Sequence, residues 1–102
     1  MATYRATESM AAAARRGLVM RSRQTPSRQG GTAVGLARAR QFAGRDPVSL
    51  DTVRRTYSFL SRARTYYDPG TESPGTQAYL LWGGPAGLVW ARNILRQLGE
   101  IE

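Results

Sequence analysis

The chain has no cysteine, no histidine and no lysine. Without cysteine it forms no disulfide and no thiolate metal site. Without histidine or lysine a serine nucleophile lacks its usual bases, and no Schiff base forms on a lysine side chain. Acids are also scarce, seven in 102 residues, and no two sit at helical spacing inside an apolar region. Neither a paired-carboxylate hydrolase nor a two-metal nuclease is predicted. No apolar run approaches the roughly 18 to 20 residues of a bilayer span. Ala11 to Ala14, followed by Arg15 and Arg16, is too short and too weakly apolar for the core of a secretory signal. The expectation is a soluble, non-enzymatic protein without metal, cofactor or membrane contact.

Arginine is what the chain has in excess. All fifteen basic residues are arginine, and the net charge is +8. A GC-rich coding bias accounts for arginine in place of lysine but not for the net charge. Residues 1–64 carry 13 arginines against Glu8, Asp46 and Asp51, a balance of +10. From Thr65 onward Arg92 and Arg96 face Asp68, Glu72, Glu100 and Glu102, a balance of −2. This asymmetry predicts a basic front, residues 1–64, that meets a polyanion, either nucleic acid or an acidic protein surface. With 41% hydrophobic residues the chain is able to bury a core, and its length fits one domain over 1–102.

The apolar centre is Leu80 to Ala91, which holds both tryptophans and the clearest breaker signal. It reads as a helical corner: one helix ends at Trp82, Gly83 and Gly84 make the bend, and Pro85 opens the next helix at its first position. Trp82 and Trp90 flank the bend, and Gly87 leaves room for a neighbouring backbone. The apolar hairpin spans 73–99, with a short helix from Pro74 to Trp82 and a last helix from Pro85 to about Leu98, whose stripe is Leu88, Ala91, Leu95 and Leu98.

Ahead of the hairpin, Met1 to Thr7 is a polar lead-in, and Thr7 caps a helix over Glu8 to Met20. Its apolar stripe of Met10, Ala13, Ala14, Gly17 and Leu18 is thin, which predicts a helix laid on the surface. Arg21 to Gly31 is loop chemistry, with almost nothing to bury, and is predicted to become ordered only on a partner. Thr32 caps a second helix, Ala33 to Ala43, with Val34, Ala37 and Phe42 toward the core. Ser49 caps a third, the longest, running to Tyr66 or Tyr67 on a stripe of Leu50, Val53, Tyr57, Leu60 and Arg64. The expected fold is an all-α single domain of about five helices.

The candidate polyanion contacts are Arg21, Arg23, Arg28, Arg38, Arg40, Arg54, Arg55 and Arg62. On the third helix they read either as a DNA grip or as a solvated face; the connector before it is longer than in a helix-turn-helix. Gly30, Gly31 and Thr32 at a helix start present amides to a phosphate, but the lysine of a nucleotide P-loop is missing. Tyr66, Tyr67 and Tyr79 are candidates for stacking on bases or for packing on the helical core.

Three segments carry a resemblance: Gly30 to Arg40, Val48 to Arg55, and Leu81 to Gly87 with Trp90 and Ala91. Together they resemble a small helical module encoded among head and structural genes of tailed bacteriophages, cyanophages included, with a Trp-Gly-Gly corner. The resemblance covers about residues 10 to 97. It implies a structural or head-assembly protein (a minor capsid, connector or internal virion component) in contact with phage structural proteins, located in the virion or the host cytoplasm. Similar modules often have a Phe-x-Arg-His-Glu-like segment where this chain has Phe59 to Arg64, so no polar site is carried over. The alternative is a free DNA-binding or host-directed regulatory protein of the phage.

Overall fold

In a computed structural model, which describes residues 2–102, four of the five α-helices begin on a hydroxyl side chain. Thr7 accepts from the Met10 amide ahead of α1 (Glu8–Ser22) and Thr32 from Gly35 ahead of α2 (Ala33–Ala43). Ser49 accepts from Thr52 ahead of α3 (Leu50–Ala63) and Ser73 from Thr76 ahead of α4 (Pro74–Leu81). Each hydroxyl satisfies an amide that a helix start leaves without an intrahelical partner. α5 (Gly84–Gln97) starts instead from Gly83, whose φ of +106° lies in the left-handed region that glycine enters without a Cβ clash. Two 3₁₀ turns, Pro26–Arg28 and Arg64–Tyr66, complete the regular structure, and the described residues contain no strand.

The fold is all-α, and α1 is at its middle rather than on its surface. It packs against α2 and α4 and touches the start of α5, while α3 packs on α5. The thin stripe of α1 misled the expectation because small residues bury by close approach, not by bulk. Met10, Ala11, Ala13, Ala14 and Gly17 are all buried. A Cβ on Gly17 would lie 2.8 Å from the Leu81 amide nitrogen and 3.0 Å from the Leu80 carbonyl carbon, so the two backbones meet there. α1 is also the longest helix, 15 residues against 14 in α3, whose last predicted turn tightens to the 3₁₀ turn at Arg64–Tyr66.

One core draws on every helix, through Met10 and Ala14, Phe42, Val53 and Leu60, Leu81, and Trp90 and Leu95. Phe42 meets Trp90 edge-on with ring centroids 5.8 Å apart, and Phe59 stacks on Trp82 at 5.4 Å. On α2 the buried face is Gly35, Ala39 and Phe42, so Phe42 is in the core as expected, whereas Val34 and Ala37 are exposed. Leu98 lies beyond the end of α5 and is 48% exposed, so it falls outside the α5 stripe.

The polar lead-in is a strap. Tyr4 and Val48 exchange backbone hydrogen bonds of 2.9 and 2.8 Å, the Trp90 indole donates to the Arg5 carbonyl, and Arg45 donates to the Ala6 carbonyl. The linker between α1 and α2 is tied down as well. Fully buried Gln77 of α4 accepts from the Gly30 amide at 2.7 Å and donates to the carbonyls of Arg28 and Glu72. Gly30 lies against the Pro74 backbone with no space for a side chain.

Candidate polyanion interface

α1 and α2 run antiparallel: Arg21 near the end of α1 donates to the Gly30 carbonyl ahead of α2, and Arg15 donates to the Ala43 carbonyl at the end of α2. Between Glu8 and Ala43 the chain carries seven arginines and one acid, Glu8. Burying the alanine face of α1 leaves Arg15, Arg16, Val19 and Arg23 along its exposed side, where they line one shallow groove. On α2, Arg40 lies on the exposed face beside Ala37, and Arg28 is exposed on the 3₁₀ turn of the linker.

The eight candidate arginines divide by what already holds them. Arg28 and Arg40 are exposed and pair with no carboxylate. Arg23 is 2.9 Å from Glu72, a residue that Gln24 also contacts. Arg21 is partly buried on the Gly30 carbonyl. Arg38 donates to Gln41, and its Nε is buried without a hydrogen-bond partner among the described residues. On α3, Arg62 donates to Ser58 and Arg55 to Asp51 one turn away. Arg54 forms a two-pronged pair with Glu100, 2.7 and 2.8 Å long. The Arg54 hydrogen bonds hold the Glu100 carboxyl below its usual value, and the same contact raises Arg54.

On α3, Arg54 and Arg55 are each paired with a carboxylate and Arg62 contacts only Ser58, while the opposite face of the helix packs on α5. Gly30, Gly31 and Thr32 do not form an open phosphate cradle. The Gly30 amide is taken by Gln77, and the Thr32 hydroxyl accepts from Gly35. Of the tyrosines, Tyr67 and Tyr79 stack on each other with centroids 4.7 Å apart, and only Tyr66 is broadly exposed, at 70%. At the corner, Trp82, Gly83, Gly84, Gly87 and Trp90 are buried, α4 ends at Leu81 rather than Trp82, Pro85 is the second rather than the first residue of α5, and a Cβ on Gly87 would lie 2.7 Å from the Trp82 carbonyl oxygen.

Arg15 and Arg16 were missed as members of the basic face. The available signal was their spacing from Val19 and Arg23, which places all four on one side of a helix. Among the described residues no three His, Cys, Asp or Glu side chains come together to hold a metal ion. No helix among them is long and apolar enough to cross a membrane. No protein family, curated protein or solved structure shows a significant match to the chain.

Proposed function

We propose that the protein is a non-enzymatic polyanion-binding module that engages nucleic-acid phosphates through the α1–α2 layer, as a component of a tailed-phage virion or of its assembly. The supporting observation is the imbalance of ion pairs. Among the described residues, only Arg23, Arg45, Arg54 and Arg55 pair with carboxylates, which leaves eleven of the fifteen arginines without one there. Arg15 and Arg16 on α1, Arg40 on α2 and Arg28 on the linker between them are exposed and pair with no carboxylate among the described residues. The absence of histidine, cysteine and lysine supports binding over catalysis. The phage setting rests on the resemblance of the Gly30 to Arg40, Val48 to Arg55 and Leu81 to Ala91 segments.

Phosphate binding is tested by titrating duplex DNA at several salt concentrations. Neutralising about six phosphates gives a log–log slope near −5 and roughly a thousandfold loss of affinity between 50 and 200 mM salt. Changing Arg16, Arg28 and Arg40 to glutamine should flatten the slope and weaken every DNA sequence alike. An affinity unaffected by salt assigns the arginines to a protein interface or to solubility. Mass spectrometry of purified virions tests the setting: stoichiometric recovery fits a structural component, and its absence fits a free DNA-binding or regulatory protein.

A further inference from the structure

A second cationic feature lies apart from the α1–α2 layer. The 3₁₀ turn after α3, α4 and the outer side of α5 border a notch of about 330 Å³, lined by Arg64, Tyr67, Tyr79, Leu88, Val89 and Arg92. Two arginines from different elements thus line one cavity, and among the described residues neither pairs with a carboxylate. Two arginines without a counter-charge make the notch a favourable place for an anion.

Tyr79 provides the second observation. Its ring is buried and stacked on Tyr67, while its hydroxyl, bonded to no described residue, still reaches solvent where Tyr79 lines the notch. A tyrosine at its ordinary value is already an O–H donor at neutral pH, and burial raises its pKa further, against the pull of nearby Arg64. The notch therefore offers donors, and its remaining wall is apolar, through Leu88 and half-exposed Val89. Guanidinium forks match the oxygens of a phosphate in geometry and charge. The volume is at the small end of ordinary ligand pockets, about 300 to 1,000 Å³, which suits one nucleotide and not a duplex.

We propose that this notch binds a phosphate monoester carried on a nucleoside: the phosphate lies between Arg64, Arg92 and the Tyr79 hydroxyl, and the planar base lies on the Leu88–Val89 wall. The same chemistry is presented by a free nucleoside monophosphate and by the 5′-phosphorylated end of a strand. None of these residues belongs to the α1–α2 face, so the two readings stand or fall separately.

The test is amide chemical-shift perturbation with calorimetry on the full chain at about 0.15 M salt, where diffuse surface attraction is screened. The probes are inorganic phosphate, a nucleoside 5′-monophosphate, the parent nucleoside, and a short single strand with and without a 5′-phosphate. Saturable binding is expected for the monophosphate, weaker binding for inorganic phosphate and none for the nucleoside, with shifts centred on Tyr67, Tyr79 and Arg92. Arg64→Gln or Arg92→Gln should lower the affinity by about tenfold or more. Tyr79→Phe should lower it by less, and Arg16→Gln, Arg28→Gln and Arg40→Gln should leave it unchanged. Notch shifts that require the 5′-phosphate of the strand identify a strand end as ligand; saturation by the mononucleotide alone identifies a free nucleotide. The proposal is overturned if neither phosphate monoester saturates, if Arg92→Gln binds as the parent protein does, or if the 5′-hydroxyl strand moves the notch signals equally.

Discussion

The α4–α5 corner and the linker between α1 and α2 are both fixed in this fold, but by opposite means. The corner is held by apolar burial and by backbone geometry specific to glycine: Trp82 stacks on Phe59, Gly83 sits at φ +106°, and Gly87 gives space to the Trp82 carbonyl. The linker buries almost no apolar side chain. Its order comes from one buried amide side chain, Gln77, and from partners along its edges, Arg21 on the Gly30 carbonyl and Gln29 on the carbonyls of Arg21 and Gln24. Apolar burial is local and collective, so the whole corner fails together. A hydrogen-bonded linker can be released to water while the rest of the core stays intact.

The largest effect should therefore come from the corner. Trp82→Ala removes a buried indole and its stacking partner, and is expected to cost about 3 to 5 kcal/mol in urea or thermal unfolding. Gly83→Val combines an unfavourable φ with a Cβ that would lie 2.7 Å from Met10 Cγ, so it should also destabilise the whole protein. Both variants should unfold in one transition, because α1, α4 and α5 meet at this point. A loss below about 1 kcal/mol for Trp82→Ala would mean that the corner does not support the core.

The linker should respond differently. Gln77→Leu keeps the volume of the side chain roughly constant but leaves the Gly30 amide and the Arg28 and Glu72 carbonyls without their partner. A buried polar group left unpaired costs about 1 to 3 kcal/mol. Here the linker escapes much of that penalty by opening to solvent. The expected outcome is a smaller loss of stability than for Trp82→Ala, with hydrogen exchange accelerated across Arg23 to Gly31 and protection retained in Leu88 to Leu95. Uniform acceleration over both segments would show that the linker and the corner unfold as one unit, and the contrast between them would disappear.

The same contrast explains which parts of the molecule were legible in the sequence. The corner announces itself within a few residues, through Trp82-Gly83-Gly84-Pro85 and the leucines around it. The four hydroxyl caps are equally local, and with them the all-α fold follows. The linker's anchor lies 47 residues away from Gly30, on an α4 glutamine that no local pattern distinguishes from a surface residue. The central place of α1 was hidden because alanine and glycine score weakly as apolar while permitting the closest backbone approach. At the candidate interface, charge counting found the basic segment, and the Asp51–Arg55 pair is a local i,i+4 contact within α3, but the partner of Arg54 depends on how α3 faces the end of the chain. Arg64 and Arg92 belong to no sequence cluster, and only the packing of α3, α4 and α5 brings them to one notch.

The far end of α5 repeats the linker's mode of attachment, and there the smallest effect is expected. Beyond Leu95 the chain is held by Ile101, half-buried against the core, and by polar contacts: the Arg54 fork on Glu100 and a hydrogen bond from Arg96 to the Glu102 carbonyl. The Arg54 hydrogen bonds lower the Glu100 pKa, outweighing a small opposing effect of burial. A carboxyl whose folded value lies below its unfolded value, about 4.3 for glutamate, contributes stability that is present above that unfolded value. The contribution is lost as pH falls through the lowered folded value. Both partners remain substantially open to water, so solvent screening keeps the contribution small. Thermal melts of the parent protein and of Glu100→Gln should then run close together near neutral pH, with the parent slightly more stable. The gap should close as pH drops below the ordinary glutamate range, while exchange at Leu98 to Ile101 becomes faster. If Glu100→Gln instead lowered stability as much as Trp82→Ala, the end of α5 would be anchored by this ion pair as firmly as its start is anchored by the corner.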